Sequence, residues 1–192
     1  MKFRTAVRRS TVIVIILVAA VCIGYAYQLI GEILDRKNHP QEFSSIVEKY
    51  SDTYGVPEYM LYAVICEESG FQSNKVSENG RIGLFQIHPD MLDWLNGITK
   101  QSLGHGLLYD PETNIRCGAY ILSYLYTENG AWLPTLAAYE AGQAVVDEWE
   151  KIDALVDSAG VLKTIPDEAT ADFVGKILDC ADMYRALYYE GN

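Results

Sequence analysis

The sequence predicts an all-α protein, α+β at most by one small hairpin, behind a single N-terminal transmembrane helix. Three observations predict it. Thr11 to Ile30 is a run of 20 residues without a charge. From Gln41 onward, apolar residues recur at helical spacing between Pro, Gly and Asp punctuation. The signal for strands is an Asn79-Gly80 pair in "SENGRIGLFQI", which predicts one small hairpin or an irregular loop.

As a helix, a run of this length spans roughly 30 Å, the thickness of a bilayer core. Residues 1–10 hold Lys2, Arg4, Arg8 and Arg9, a basic flank that favours a cytoplasmic N-terminus and an extracytoplasmic remainder. Tyr25 and Tyr27 suit the far interface. A cleaved signal peptide is the alternative, with an apolar core from Val12 to Gly24 and a small-residue site ending at Ala26. The remainder is then secreted rather than tethered. The bulky Val21 argues against lipid modification of Cys22. Residues 31–40 read as a short polar linker, and 41–192 as one domain.

Within that domain, "QEFSSIVEKYSDTYG" puts Phe43, Ile46, Val47 and Tyr50 on one helical face and ends at Gly55. "PEYMLYAVICEES" opens with Pro57 in the first turn and stops at Gly70. "DPETNIRCGAYILSYLYTENG" takes Asp110 as its N-cap and carries a stripe of Ile115, Tyr120, Ile121 and Leu125. "AWLPTLAAYEAG" and "QAVVDEWEKI" follow, and "DEATADFVGKILDCADMYRALYY" closes the chain as a long amphipathic helix.

Charge excludes one class of partner. The net charge is −11, and beyond the basic N-terminus 11 basic residues face 26 acidic ones. Such a surface repels phosphate backbones, so nucleic acid is not expected. It offers no electrostatic pull on anionic envelope polymers either, which leaves shape, hydrogen bonds and stacking. Cys66, Cys117 and Cys180 read as buried thiols acting as small hydrophobes, with one disulfide plus a free thiol as the alternative. Their spacing, like that of His39, His88 and His105, fits no metal site, and no cofactor pattern is present.

The stretch "VICEESGF" places two glutamates after an apolar run. At 100° per residue, Glu68 returns to the side of Leu61, Val64 and Ile65, whereas Glu67 is turned towards solvent. A carboxylate on an apolar stripe tends to hold its proton, which suits a general acid near neutral pH. Pairing with a cation, or fraying of the helix end, accounts for the same position without chemistry.

Four blocks in order, "EESGF", "GRIGLFQIHP", "LYDPETNIRCGAYIL" and "LAAYEAG", resemble the lytic transglycosylases, the lysozyme-like relatives of goose-type lysozymes, over residues 44–188. The resemblance implies a lysozyme-like helical domain with Glu68 as sole acid/base and Ser69 orienting it. Gly83, Leu84, Phe85 and Gln86 stand where the family has Gly-Leu-Met-Gln, and Gln86 is expected to bind substrate or hold Glu68. Asn114 matches the family's asparagine, with helix packing or capping preferred for it. Tyr139 matches a tyrosine whose hydroxyl faces the site, and Tyr184 a late aromatic near the groove. Glu140 departs from the usual Asn after that tyrosine, and Ala144-Val145 from a common Gly-Asn. Glu140 faces solvent in one reading and sets a second carboxylate beside Glu68 in another.

The resemblance further implies peptidoglycan as substrate, cut at the β-1,4 bond between N-acetylmuramic acid and N-acetylglucosamine. Without a second carboxylate, the N-acetyl group and 6-hydroxyl of the sugar complete the reaction, giving a 1,6-anhydro end. Trp94, Trp132, Trp149 and the tyrosines are the sources of flat sugar-binding faces. A lysozyme-type hydrolase, or a tethered glycan-binding scaffold without activity, are the alternatives.

Overall fold

The computed structural model describes residues 2–190, with side chains described at Ile15 and from Leu17 onward. It divides into two compact units, Met1–Pro40 and Gln41–Asn192. Lys2, Arg4, Arg8 and Arg9, expected to flank a membrane, have side chains outside the described set.

The first unit is one helix, α1 (Lys2–Asn38). It does not stop at Ile30: the segment read as a polar linker continues helical to Asn38. Gly31 is flanked by good helix formers, and the first strong breaker is Pro40. Within it, Leu17–Asn38 is long and apolar enough to cross a membrane; its most apolar 18-residue window has mean hydropathy 1.7, and none of that window is buried inside the fold.

The second unit is helical: α2 (Ser44–Tyr54), α3 (Glu58–Ser69), α4 (Pro89–Thr99), a 3-10 turn (His105–Tyr109), α5 (Pro111–Asn129), α6 (Trp132–Ala141), α7 (Gln143–Trp149) and α8 (Glu168–Tyr188). The predicted hairpin is an irregular loop with two isolated bridges, Val76 to Ile82 and Ile82 to Ile87. A third bridge joins Val156 to Leu162. Helix α4 and the 3-10 turn lie where the sequence pattern had assigned no element. His88 and Pro89 start α4: the imidazole Nδ1 accepts from the Asp90 N–H at 3.2 Å, and Pro89 sits in the first turn. Asp110 caps α5 as expected, accepting from Thr113 N–H at 2.8 Å.

Helix α3 is the centre of the fold. Met60, Leu61, Tyr62, Ala63, Val64 and Ile65 are all buried, so the helix is enclosed on every side rather than along one stripe. It packs mainly on α8, where Tyr62 stacks on Tyr184 with centroids 5.3 Å apart. Tyr184 is fully buried in this contact and is a core residue, not a groove aromatic. Helix α5 is the second hub, touching α2, α4, α6 and the 3-10 turn. Its Ile115, Ile121 and Leu125 are buried as the stripe predicts, while Tyr120 is half-buried and meets the Tyr54 ring edge-on.

Candidate active site

The C-terminal end of α3 carries Glu67 and Glu68, and the structure separates them as the helical rotation requires. Glu67 is exposed, whereas the Glu68 side chain is 9% exposed. The helix ends there because Gly70 adopts a left-handed conformation (φ 56°) and returns its N–H to Cys66 O at 2.9 Å. Two further bonds steady this end. Ser69 donates its hydroxyl to Ile65 O at 2.9 Å, along its own helix and not to the neighbouring carboxylate. Lys75 donates to the Glu68 carbonyl oxygen at 2.6 Å, satisfying one of the acceptors that every helix C-terminus leaves open.

The loop 75–87 forms the opposite wall. Gly83 (φ 81°) and Gln86 (φ 46°) both take the left-handed conformation, which is costly for Gln86. The Gln86 amide helps to hold the turn by donating to Gly83 O at 2.7 Å and to Lys75 O at 3.2 Å. Its amide nitrogen therefore braces the loop rather than Glu68. Gln86 Oε1 is buried without a partner among the described residues.

Asn114, fully buried on α5, fastens this loop from behind. It donates to Ile82 O at 3.0 Å and Leu108 O at 2.7 Å and accepts from Phe85 N–H at 2.8 Å. A Cβ on Gly83 would collide with Asn114, and one on Gly118 would collide with the Phe85 ring. Asn114 thus serves packing. Tyr139, on α6, completes the wall by donating its hydroxyl to Phe85 O at 2.5 Å. Burial raises its pKa well above the ordinary value, and the nearby Glu68 charge adds to that rise.

Between the two walls lies Arg81, a residue the sequence reading did not single out. Its guanidinium approaches Glu68 at 3.6 Å, an ion-pair distance too long for a hydrogen bond. It binds Glu140 more closely, at 2.6 Å to the carboxylate and 3.3 Å to the backbone oxygen. Glu140 is therefore partly enclosed and tied to a cation, and one guanidinium serves two carboxylates. Lys75 and Arg81 are the only basic residues between Glu68 and Lys100. In so acidic a chain, that scarcity was the available signal.

These surroundings lift the Glu68 pKa from 4.5 to about 7. Burial is the largest cause; Arg81 opposes it, Glu140 reinforces it, and Lys75 opposes it weakly. Glu68 Oε1 has no hydrogen-bond partner among the described residues. At neutral pH such a carboxyl is divided between acid and base forms.

Arg81, Gln86 and Tyr139 line a cavity of about 50 Å³ with Met91 and Ile121. Met91 and Ile121 also line a larger cavity of about 420 Å³, walled by Trp94, Tyr124, Leu125 and Gln143. Trp94 meets Tyr124 edge-on at 5.1 Å. Of the three tryptophans, Trp94 borders this space, while Trp132 packs on Tyr126 and Trp149 lies against the core.

Three comparisons bear on this arrangement. The family described as the transglycosylase SLT domain matches residues 45–159. A soluble lytic murein transglycosylase of Escherichia coli is 29% identical over 158 residues, covering 80% of this chain and 24% of that protein. A membrane-bound lytic murein transglycosylase C of Pectobacterium atrosepticum is 33% identical over 101 residues, covering 51% of this chain and 28% of that protein. The chain thus spans about a quarter of the length of these curated relatives. Among solved structures, the 70-kDa soluble lytic transglycosylase of Escherichia coli aligns with a TM-score of 0.73 at 26% identity, over 81% of this chain and 26% of that one. A 70-kDa soluble lytic transglycosylase in complex with bulgecin A aligns with a TM-score of 0.74 at 26% identity, over 81% of this chain and 26% of that one.

Proposed function

Since the chain belongs to the transglycosylase SLT-domain family, we propose that it cuts peptidoglycan between N-acetylmuramic acid and N-acetylglucosamine without consuming water. The observation that carries this reading is Glu68, a carboxyl buried at the end of α3 with a pKa of about 7.

Glu68 in its protonated form donates to the glycosidic oxygen as the bond breaks. Positive charge then grows on the muramic carbon that loses the bond. Glu140 is poorly placed to answer it as a nucleophile, because Arg81 holds its carboxylate at 2.6 Å. The sugar's own N-acetyl group takes that role, and its 6-hydroxyl attacks the same carbon. Glu68, now ionised, removes the hydroxyl proton and returns to its acid form. The product is a 1,6-anhydro end. Holding the hydroxyl in place supplies several kcal/mol of the barrier reduction, on the order of that seen for intramolecular reactions.

The other residues hold this chemistry in position. Arg81 keeps the Glu68 pKa from climbing further, and Glu140 restrains Arg81 in return. Asn114 and Tyr139 fix the loop 82–86. Gln86 Oε1, without a hydrogen-bond partner among the described residues and beside the smaller cavity, is an acceptor for a sugar hydroxyl or amide N–H. The apolar Leu17–Asn38 helix tethers the domain to a membrane, with the basic N-terminus on the cytoplasmic side and residues 41–192 outside.

The deciding experiment digests purified cell walls with the full chain and with Glu68→Gln, then weighs the released muropeptides. Anhydro ends, lighter by one water than reducing ends, are expected from the wild type and none from the variant. Reducing ends would replace this reading with a hydrolase. Glycan retention with no release from either protein would replace it with a binding scaffold.

A further inference from the structure

The helix that carries Glu68 also carries a thiol facing another thiol. Cys66 on α3 and Cys180 on α8 lie with their sulfur atoms within 4.8 Å and hydrogen-bond to one another. Neither is in a disulfide in this structure. Cys180 is buried at 5% exposure, while Cys66 is half-buried and so reachable from outside. Tyr184, stacked on Tyr62 at the same helix contact, also hydrogen-bonds Cys66. The two cysteines are far apart in the chain and brought together only by the packing of α3 on α8. None of the groups proposed to act on sugar uses this pair.

We propose that Cys66 and Cys180 form a disulfide, a redox-dependent staple between α8 and the helix that ends in Glu68. The chemistry of the pair suits exchange. The hydrogen bond from Cys180 favours the Cys66 thiolate, whereas that same bond, and burial after it, disfavour ionisation of Cys180. Cys66 is therefore the attacking sulfur. Its thiolate attacks an external disulfide, such as oxidised glutathione or an oxidoreductase disulfide, and expels one thiolate. A mixed disulfide results at Cys66. Cys180 gives up its proton and attacks the Cys66 sulfur, expelling the second thiolate. The protein loses two hydrogens and the external disulfide becomes two thiols, so electrons and protons balance. A cross-link between residues so distant in sequence restricts the unfolded chain strongly, which stabilises the fold. The extracytoplasmic placement proposed above supplies oxidising surroundings, yet the pairing itself depends on the thiol geometry and not on the reading of Glu68.

The test uses the detergent-solubilised full chain carrying Cys22→Ser and Cys117→Ser, so that only this pair remains. It is incubated with oxidised glutathione, then alkylated and mapped by mass spectrometry without reduction. A Cys66–Cys180 cross-linked peptide two hydrogens lighter than the two free peptides is expected. A Tm higher by several degrees, reversed by dithiothreitol, is expected with it. Adding Cys66→Ser or Cys180→Ser should remove the rise. Alkylation of both sulfurs after oxidation, or glutathione retained on Cys66, would overturn the proposal. So would a Tm rise that requires zinc and vanishes with a chelator, since Glu67 lies beside the two sulfurs and the site would then be a metal site. The readouts are mass and melting temperature, so a failure here leaves the sugar chemistry untouched, and the reverse.

Discussion

Asn114 and Glu68 are both buried polar side chains, one on α5 and one on α3, and they differ in how far their surroundings satisfy them. Asn114 makes three hydrogen bonds to backbone groups and is 0% exposed. Glu68 is almost as buried, yet its Oε1 has no hydrogen-bond partner among the described residues, and Arg81 stands from it at ion-pair distance and leans towards Glu140. A satisfied buried amide stabilises a unique fold. An unsatisfied buried carboxyl destabilises it and remains available for chemistry. The difference separates the part of the site that builds the wall from the part proposed to act.

The largest effect expected from breaking this contrast is at Glu68 itself. Glu68→Gln should lower wall cleavage by about 10²–10⁴-fold, the range for a lost general acid–base, in a muropeptide-release assay, with the far-ultraviolet circular dichroism unchanged. Next comes Asn114→Ala, which strands the Phe85 N–H and the Ile82 and Leu108 carbonyls in the interior. Denaturant melts should show a loss of about 3 kcal/mol, with activity falling because the loop loosens.

The same contrast has a pH signature. The Glu68 pKa is raised in the folded state, from 4.5 to about 7, so its protonated form is the one the fold favours. Its contribution is complete below pH 4.5 and is lost as pH rises through 7, by roughly 3 kcal/mol for a shift of this size. The stability of Glu68→Gln relative to wild type should therefore rise across that window, as read from melts at a series of pH values. A flat difference would mean that Glu68 ionises freely.

Smaller shifts sharpen the roles of the two neighbours. Glu140→Gln removes an anion that raises the Glu68 pKa and frees Arg81 to approach it. The alkaline limb of the pH–rate profile should move to lower pH. Arg81→Gln should move that limb the other way, because it removes the opposing cation and leaves the Glu140 charge uncompensated. Opposite displacements are the expected result, and equal ones would argue against a shared guanidinium.

Much of the framework was legible in the residues. Gly55 and Gly70 end their helices, Asp110 caps α5, and the rotation from Glu67 to Glu68 turned one glutamate out and the other in. These are local consequences of helix geometry and cap chemistry. Three features were not legible. The helix bearing Glu68 is buried all round, so the apolar stripe gave the right side chain for an incomplete reason. Helix α1 runs past the end of its charge-free stretch, because polarity does not break a helix and Pro40 does. The Gln86 amide nitrogen is taken up by two loop carbonyls, a bracing role beside the substrate contact proposed for its Oε1.

Local sequence carried the ends of α2 and α3 and the start of α5, the end of the chain that holds the apolar span, and the inward turn of one glutamate. All of these depend on neighbours within a few positions along the chain. Packing alone places Arg81 between Glu68 and Glu140, ties the loop of Phe85 to α5 through Asn114, and brings Cys66 to Cys180. Those contacts join residues from separate elements, and their strength depends on burial and distance, which no local pattern encodes.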